Sequence, residues 1–132
     1  MTDGIDRLLA QERRLLRRLT PEQAREAAAA GGLIIDTRSH EQRMSGGTVP
    51  GSARIHRNVL EWRADPSSGH QDPRIAASRG PLVIMCEQGY SSSLAAATLQ
   101  RLGITNATDM IGGFEAWSAA GLPVEPLGED VG

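Results

Sequence analysis

A chain of 132 residues with 39% hydrophobic and 23% charged residues has the composition of one ordinary globular domain. Its formal net charge of −2 excludes a global electrostatic pull toward nucleic acid or an anionic membrane. All fourteen basic side chains are arginine, which excludes Schiff-base chemistry and the lysine of a phosphate loop, and the single cysteine excludes an intramolecular disulfide.

With only four aromatic residues, the core has to be aliphatic. No apolar leader opens the chain and no run of about 18 apolar residues interrupts it, so the expectation is a cytoplasmic protein with no membrane contact.

In chain order, residues 3–19 place Ile5, Leu8, Leu9, Leu15, Leu16 and Leu19 near helical spacing, with Arg13, Arg14, Arg17 and Arg18 between them. This predicts an amphipathic helix whose arginines solvate its outer face. Thr20-Pro21-Glu22-Gln23 is a capped helix start, and the alanines after it run to a stop at Gly31-Gly32. Leu33-Ile34-Ile35 reads as a short buried strand ending in Asp36-Thr37-Arg38. Ser39 to Met44 predicts a short helix, 46–52 a loop, Ala53 to Ile55 a brief strand, and Arg57 to Trp62 one or two helical turns. From Ala64 to Gly80 the composition predicts an irregular surface excursion.

Pro81 to Leu94 is the most informative stretch. Leu82-Val83-Ile84-Met85 is too short for a helix and predicts a buried strand; Cys86 follows at once, then Gly89, then three serines opening the helix that ends at Leu102-Gly103. A loop between a strand end and a helix N-terminus aims several unpaired N–H groups at one point, and such a nest favours anions. The thiolate is the nucleophilic form of cysteine, so a cysteine placed there is a candidate nucleophile. Asp36 and Arg38 end the strand begun at Leu33, on the side of an α/β sheet where ligands gather, although an ion pair serves equally well. Ala107 to Ile111 predicts a last strand, Gly112-Gly113 opens a final helix stopping at Gly121-Leu122-Pro123, and the polar tail from Glu125 is expected to fray. Short strands alternating with helices predict an α/β fold, a small mainly parallel sheet with helices on both faces.

Leu33-Ile34-Ile35-Asp36-Thr37-Arg38, Gly47-Thr48-Val49-Pro50-Gly51-Ser52-Ala53, Cys86-Glu87-Gln88-Gly89-Tyr90-Ser91-Ser92, Gly112-Gly113-Phe114-Glu115-Ala116-Trp117 and Gly121-Leu122-Pro123-Val124 occur in one order. Together they resemble a single-domain rhodanese, a thiosulfate sulfurtransferase. The resemblance spans roughly residues 20–125, leaving 1–19 as an N-terminal helical extension and 126–132 as a flexible tail. It implies that Cys86 carries sulfane sulfur as a persulfide, that Glu87, Gln88, Gly89, Tyr90, Ser91 and Ser92 cradle the outer sulfur, and that no metal or organic cofactor takes part. The implied donor is thiosulfate or a persulfide; the implied acceptor is a thiol, a dithiol protein or cyanide. A monomer or weak homodimer is expected.

Two positions depart from the family pattern. Many members carry arginine five residues after the cysteine to hold a donor sulfonate; this chain has Ser91, which either weakens thiosulfate affinity or passes that role to Arg38, Arg57 or Arg63. Thr48 replaces the usual histidine before Val-Pro-Gly. Glu87 brings an anion to an anion site and is expected to point outward. A phosphatase of related design needs an arginine fork at position 92, where this chain has serine. The rival of another class is a non-catalytic binding module on the same fold. His40, His56 and His70 lack metal-ligand spacing, so no metal site is expected.

Overall fold

A computed structural model describes residues 4–128. Strands β1 (Leu33–Asp36), β2 (Ala53–Arg54), β3 (Leu82–Met85) and β4 (Ala107–Asp109) form a four-stranded sheet in the order β2-β1-β3-β4, every pairing parallel. Helices α1 (Ile5–Arg13), α2 (Pro21–Ala29), α3 (His40–Gly46), α4 (Leu60–Ala64), α5 (Pro73–Ala77), α6 (Ser91–Arg101) and α7 (Gly113–Ala119) connect and cover it.

Alternation along the strands divides the core in two. Ile35, Leu82 and Ile84 pack with Leu60 of α4, Ile75 of α5 and Leu99 of α6 on one face. Ile34, Val83 and Met85 pack with Ala24 of α2 and Phe114 and Trp117 of α7 on the other. Both faces of β3 are therefore buried, which is why its sequence is apolar throughout rather than alternating. Asp36 is level with Met85, and Asp109 with Ile84, so the C-terminal ends of β1, β3 and β4 converge on one edge of the sheet.

The structure corrects three expectations. The N-terminal helix ends at Arg13 instead of running to Leu19. Beyond it Leu19 is extended and pairs with β4, its N–H donating to the Asp109 carbonyl at 3.0 Å and its carbonyl accepting from the Ile111 N–H at 2.8 Å. Thr108 Oγ1 also donates to the Arg17 carbonyl. Backbone groups on the rim of β4 thus find partners in this segment, and that pairing overrides the local helical pattern. Within the stretch expected to be irregular, Asp72 caps α5 with its carboxylate on the Arg74 N–H, and Pro73 occupies the first helical position. Glu125 is held by a two-way backbone pairing with Thr48 at 2.8 and 2.9 Å, so the chain is anchored there rather than frayed. Residues 129–132 of the expected tail lie outside the described residues.

Candidate active site

Cys86 follows the last residue of β3 and is 7% exposed. The loop from Glu87 to Tyr90 turns back over it and delivers the chain into α6. Gly89 makes the turn at φ +85°, a conformation that side-chain-bearing residues resist, and its N–H donates to Cys86 Sγ at 3.2 Å. The Ser92 N–H, in the first turn of α6, donates to the same sulfur at 3.4 Å. Two backbone amides thus converge on the cysteine.

The loop is held from below by the start of α7. Phe114 N–H donates to the Cys86 carbonyl at 2.8 Å and Glu115 N–H to the Glu87 carbonyl at 3.0 Å. This contact requires Gly112-Gly113. A Cβ at Gly113 would lie 2.4 Å from the Cys86 carbonyl oxygen, and one on Gly89 would lie 2.6 Å from the Gly112 nitrogen. The glycine pair read in sequence as a helix start is also a site for close backbone approach.

Burial pushes the Cys86 thiol up, but hydrogen bonding with the Ser92 and Ser91 hydroxyls and the Ser92 and Gly89 amides outweighs it, so the net shift is downward. The Ser92 hydroxyl has one proton and donates it to Asp109 Oδ2 at 2.8 Å. The Ser92 hydroxyl thus serves the aspartate, and the Gly89 and Ser92 amides are the backbone donors fixed on the sulfur.

A cleft of about 240 Å³ opens over the cysteine, lined by Thr37, Arg38, Gln42, Cys86, Glu87, Gln88, Tyr90 and Ser91. A larger groove of about 340 Å³ between Arg25, Val49 and Trp117 does not include Cys86 or its loop. Of the arginines considered from sequence, only Arg38 lines the cleft, and its charge is already engaged. Its guanidinium meets Asp36 through Nε at 3.2 Å and Nη2 at 3.0 Å, donates to Glu87 Oε1 at 3.2 Å and the Gly47 carbonyl at 2.7 Å, and lies 3.8 Å from the Phe114 ring centroid. Asp36 also accepts the Arg38 N–H and pairs with Arg43 Nε at 3.4 Å. Glu87, expected to point outward, instead lines the cleft because Arg38 compensates its charge. Arg57 pairs with Glu61, one helical turn on, and Arg63 with Asp72; neither is among the residues lining the cleft. Gln88 is exposed and reaches Glu115 Oε2, and Tyr90 is 58% exposed.

Residues that sequence reasoning missed stand on the other side of the loop. Asp109, fully buried at the end of β4, accepts the Ser92 and Ser93 hydroxyls at 2.8 and 2.7 Å and pairs with Arg18 Nε at 2.8 Å. Arg18 Nη2 also donates to the Gly89 carbonyl at 3.0 Å, and Arg13 Nη2 to the same oxygen at 2.8 Å. Arg14 and Arg17 are exposed, although they lie beyond the end of the helix whose face they are expected to solvate, whereas Arg13 and Arg18 are turned in to these partners. Asp109 lies inside the strand expected at 107–111, and a charged residue within that stretch was the one available signal for it.

The family model described as Rhodanese-like domain matches residues 20–120. A thiosulfate sulfurtransferase GlpE from Ectopseudomonas mendocina is 32% identical over 103 residues, covering 78% of this chain and 85% of the relative. Its Pseudomonas aeruginosa counterpart is 33% identical over 101 residues, covering 76% and 82%. A Rhodopseudomonas palustris protein of unknown function, described as a "Possible Tyrosine Phosphatase", superposes with a TM-score of 0.83 at 32% identity, over 95% of this chain and 96% of its own. A human single-domain sulfurtransferase shares the fold, with a TM-score of 0.61 at 24% identity over 77% and 95% of the two chains.

Proposed function

The chain belongs to the rhodanese-like domain family, and from that premise we propose that it moves sulfane sulfur from a donor to a thiol or cyanide through a persulfide on Cys86. The observation that carries this reading is the convergence of the Gly89 and Ser92 amides on Cys86 Sγ at the C-terminal edge of the sheet. Those donors stabilise a sulfur anion in a small, largely buried site, both as the attacking thiolate and as the persulfide. In the first step the Cys86 thiolate attacks the outer sulfur of the donor. The donor S–S bond breaks, its electron pair leaves with sulfite or a thiolate, and Cys86 holds the transferred sulfur. In the second step the acceptor thiolate or cyanide attacks that outer sulfur, and the Cys86 thiolate departs and is restored.

The cleft's charges favour a donor of low charge. Arg38 is flanked by the carboxylates of Asp36 and Glu87, so no guanidinium lining the cleft is left unpaired to meet a dianion. A persulfide of a small thiol or of a protein fits this better than thiosulfate, with a dithiol protein or small thiol as the matching acceptor. The phosphatase description of the R. palustris relative does not extend to this loop, because Ser92 stands where an oxyanion-gripping arginine is needed.

Intact-protein mass spectrometry tests the reading. Wild-type protein should gain one sulfur atom from thiosulfate or a persulfide donor and lose it to a thiol, whereas Cys86→Ser should gain none. Loading should also reach its plateau below the pH needed by an unperturbed thiol of pKa about 8.5, because the thiolate is the reacting form and the Cys86 pKa is lowered. No adduct from either donor would favour a binding module instead.

A further inference from the structure

We propose that Arg13 and Arg18, from the segment preceding the family match, are positioning residues for sulfur transfer: they clamp the Gly89 carbonyl outside the anion cradle and keep the loop's N–H groups on the sulfur. The inference rests on the reading of Cys86 as a persulfide carrier.

The Gly89 residue faces two ways. Its N–H is on Cys86 Sγ at 3.2 Å, and its carbonyl takes Arg13 Nη2 at 2.8 Å and Arg18 Nη2 at 3.0 Å. In a planar trans peptide the next N–H, that of Tyr90, points opposite to this carbonyl, away from both guanidiniums. Rotation of the Gly89–Tyr90 peptide would exchange the two ends and turn a carbonyl oxygen toward that side. Glycine offers little steric resistance to such a rotation. Two charge-assisted hydrogen bonds on one oxygen oppose it.

Both arginines are themselves fixed. Arg18 spans Asp109 and Gly89: Nε on Oδ1 at 2.8 Å, and Nη2 shared between Oδ2 at 3.2 Å and the carbonyl. Arg13 donates through Nε to Ser93 Oγ at 3.0 Å and lies 5.8 Å from the Tyr90 ring centroid. Asp109 in turn holds the hydroxyl of Ser92, whose amide is the second donor to Cys86. One buried carboxylate and two arginines thus hold from behind Gly89 and Ser92, the two residues whose amides meet the sulfur. Neither arginine lines the cleft, so substrate contact does not explain their placement.

The charged groups around the loop are Arg38, Asp36 and Glu87 on the β1 side, Arg13, Arg18 and Asp109 on the β4 side, and Glu115 of α7. Arg13→Ala removes one of these and leaves the Asp109 pair intact. Arg18→Lys keeps a cation beside Asp109 but loses the fork that bridges it to Gly89.

The test is the pH dependence of Cys86 alkylation by iodoacetamide, together with the rate of persulfide formation, in wild type, Arg13→Ala, Arg18→Lys and the exposed control Arg14→Ala. Arg13→Ala and Arg18→Lys should each slow neutral-pH alkylation and sulfur loading about tenfold, consistent with losing one hydrogen bond to a charged group, with donor KM little changed. The alkylation midpoint should move to higher pH, and Arg14→Ala should match wild type. Midpoints coinciding with wild type in both clamp variants overturn the proposal, even if thermal stability falls. Alkylation does not depend on sulfur transfer, so a wild-type protein that takes up no sulfur counts against the function alone.

Discussion

Two buried aspartates flank Cys86, one at the end of each strand beside β3, and they do different work. Asp36 ends β1 and gathers Arg38 and Arg43, two and seven residues further on. Asp109 ends β4 and gathers Ser92, Ser93 and Arg18, separated from it by 17, 16 and 91 residues. The first cluster meets the cleft through Arg38 and Glu87, and its two arginines are balanced by Asp36 and Glu87. The second stands behind the loop, where Arg13 and Arg18 outnumber Asp109 by one positive charge. The same local feature, a buried carboxylate ending a strand, neutralises a guanidinium on one side and fixes a nucleophile's loop on the other.

Removing each carboxylate is the strongest way to separate these roles. Asp109→Ala strands Arg18 and two serine hydroxyls and should destabilise the protein by about 3–5 kcal/mol, read from denaturant midpoints. Asp36→Ala should cost a similar amount but leave the pH profile of Cys86 alkylation close to wild type. If both variants shift that profile equally, the distinction between the clusters collapses. Gly113→Ala tests the loop's third support: its Cβ meets the Cys86 carbonyl and its φ is +62°, so about 1–3 kcal/mol of strain should appear as a lower thermal midpoint and slower sulfur loading.

On the cleft side, Ser91→Arg adds a guanidinium that no carboxylate has already engaged. It should lower the KM for thiosulfate about tenfold, the scale of one hydrogen bond to a charged group, while leaving a low-charge persulfide donor little affected. An unchanged thiosulfate KM would mean that charge in the cleft is not limiting.

The smallest effect belongs to a third aspartate, Asp72, whose partners Arg63 and Arg74 are 40% and 53% exposed. The side-chain hydrogen bond from Arg74, working against burial, lowers its pKa to about 2. Its contribution is therefore present above its unfolded value near pH 4 and disappears as pH falls through about 2. Because the pair is solvated, Asp72→Asn should cost under about 1 kcal/mol at neutral pH, and acid titration should bring the variant and wild type together over that window.

The parallel sheet, the strand at 82–85 and the cysteine loop were legible because their signals are local: an apolar run, a glycine, then helix-forming residues. The Asp36–Arg38 pair was legible for the same reason. Asp109 and its partners were not, because nothing at Arg13 or Arg18 distinguishes them from Arg14 and Arg17, which stay exposed. Their roles follow from α1 packing on α6 and from Leu19 joining β4, contacts that span most of the chain. Arg57 and Arg63 illustrate the reverse error: charge near the motif suggested ligand binding, but Glu61 and Asp72 lie closer.

The pairing of Leu19 with β4 also covers one edge of the sheet. A sheet edge normally exposes a row of N–H and C=O groups that can template a strand from another molecule. Here β2 is only two residues long, too short to recruit one. On β4 the Asp109 carbonyl is taken by the Leu19 N–H and the Ala107 carbonyl by the Gln100 side chain. The segment that braces the reactive loop therefore also blunts an edge, so its loss would expose sticky backbone as well as loosen the site.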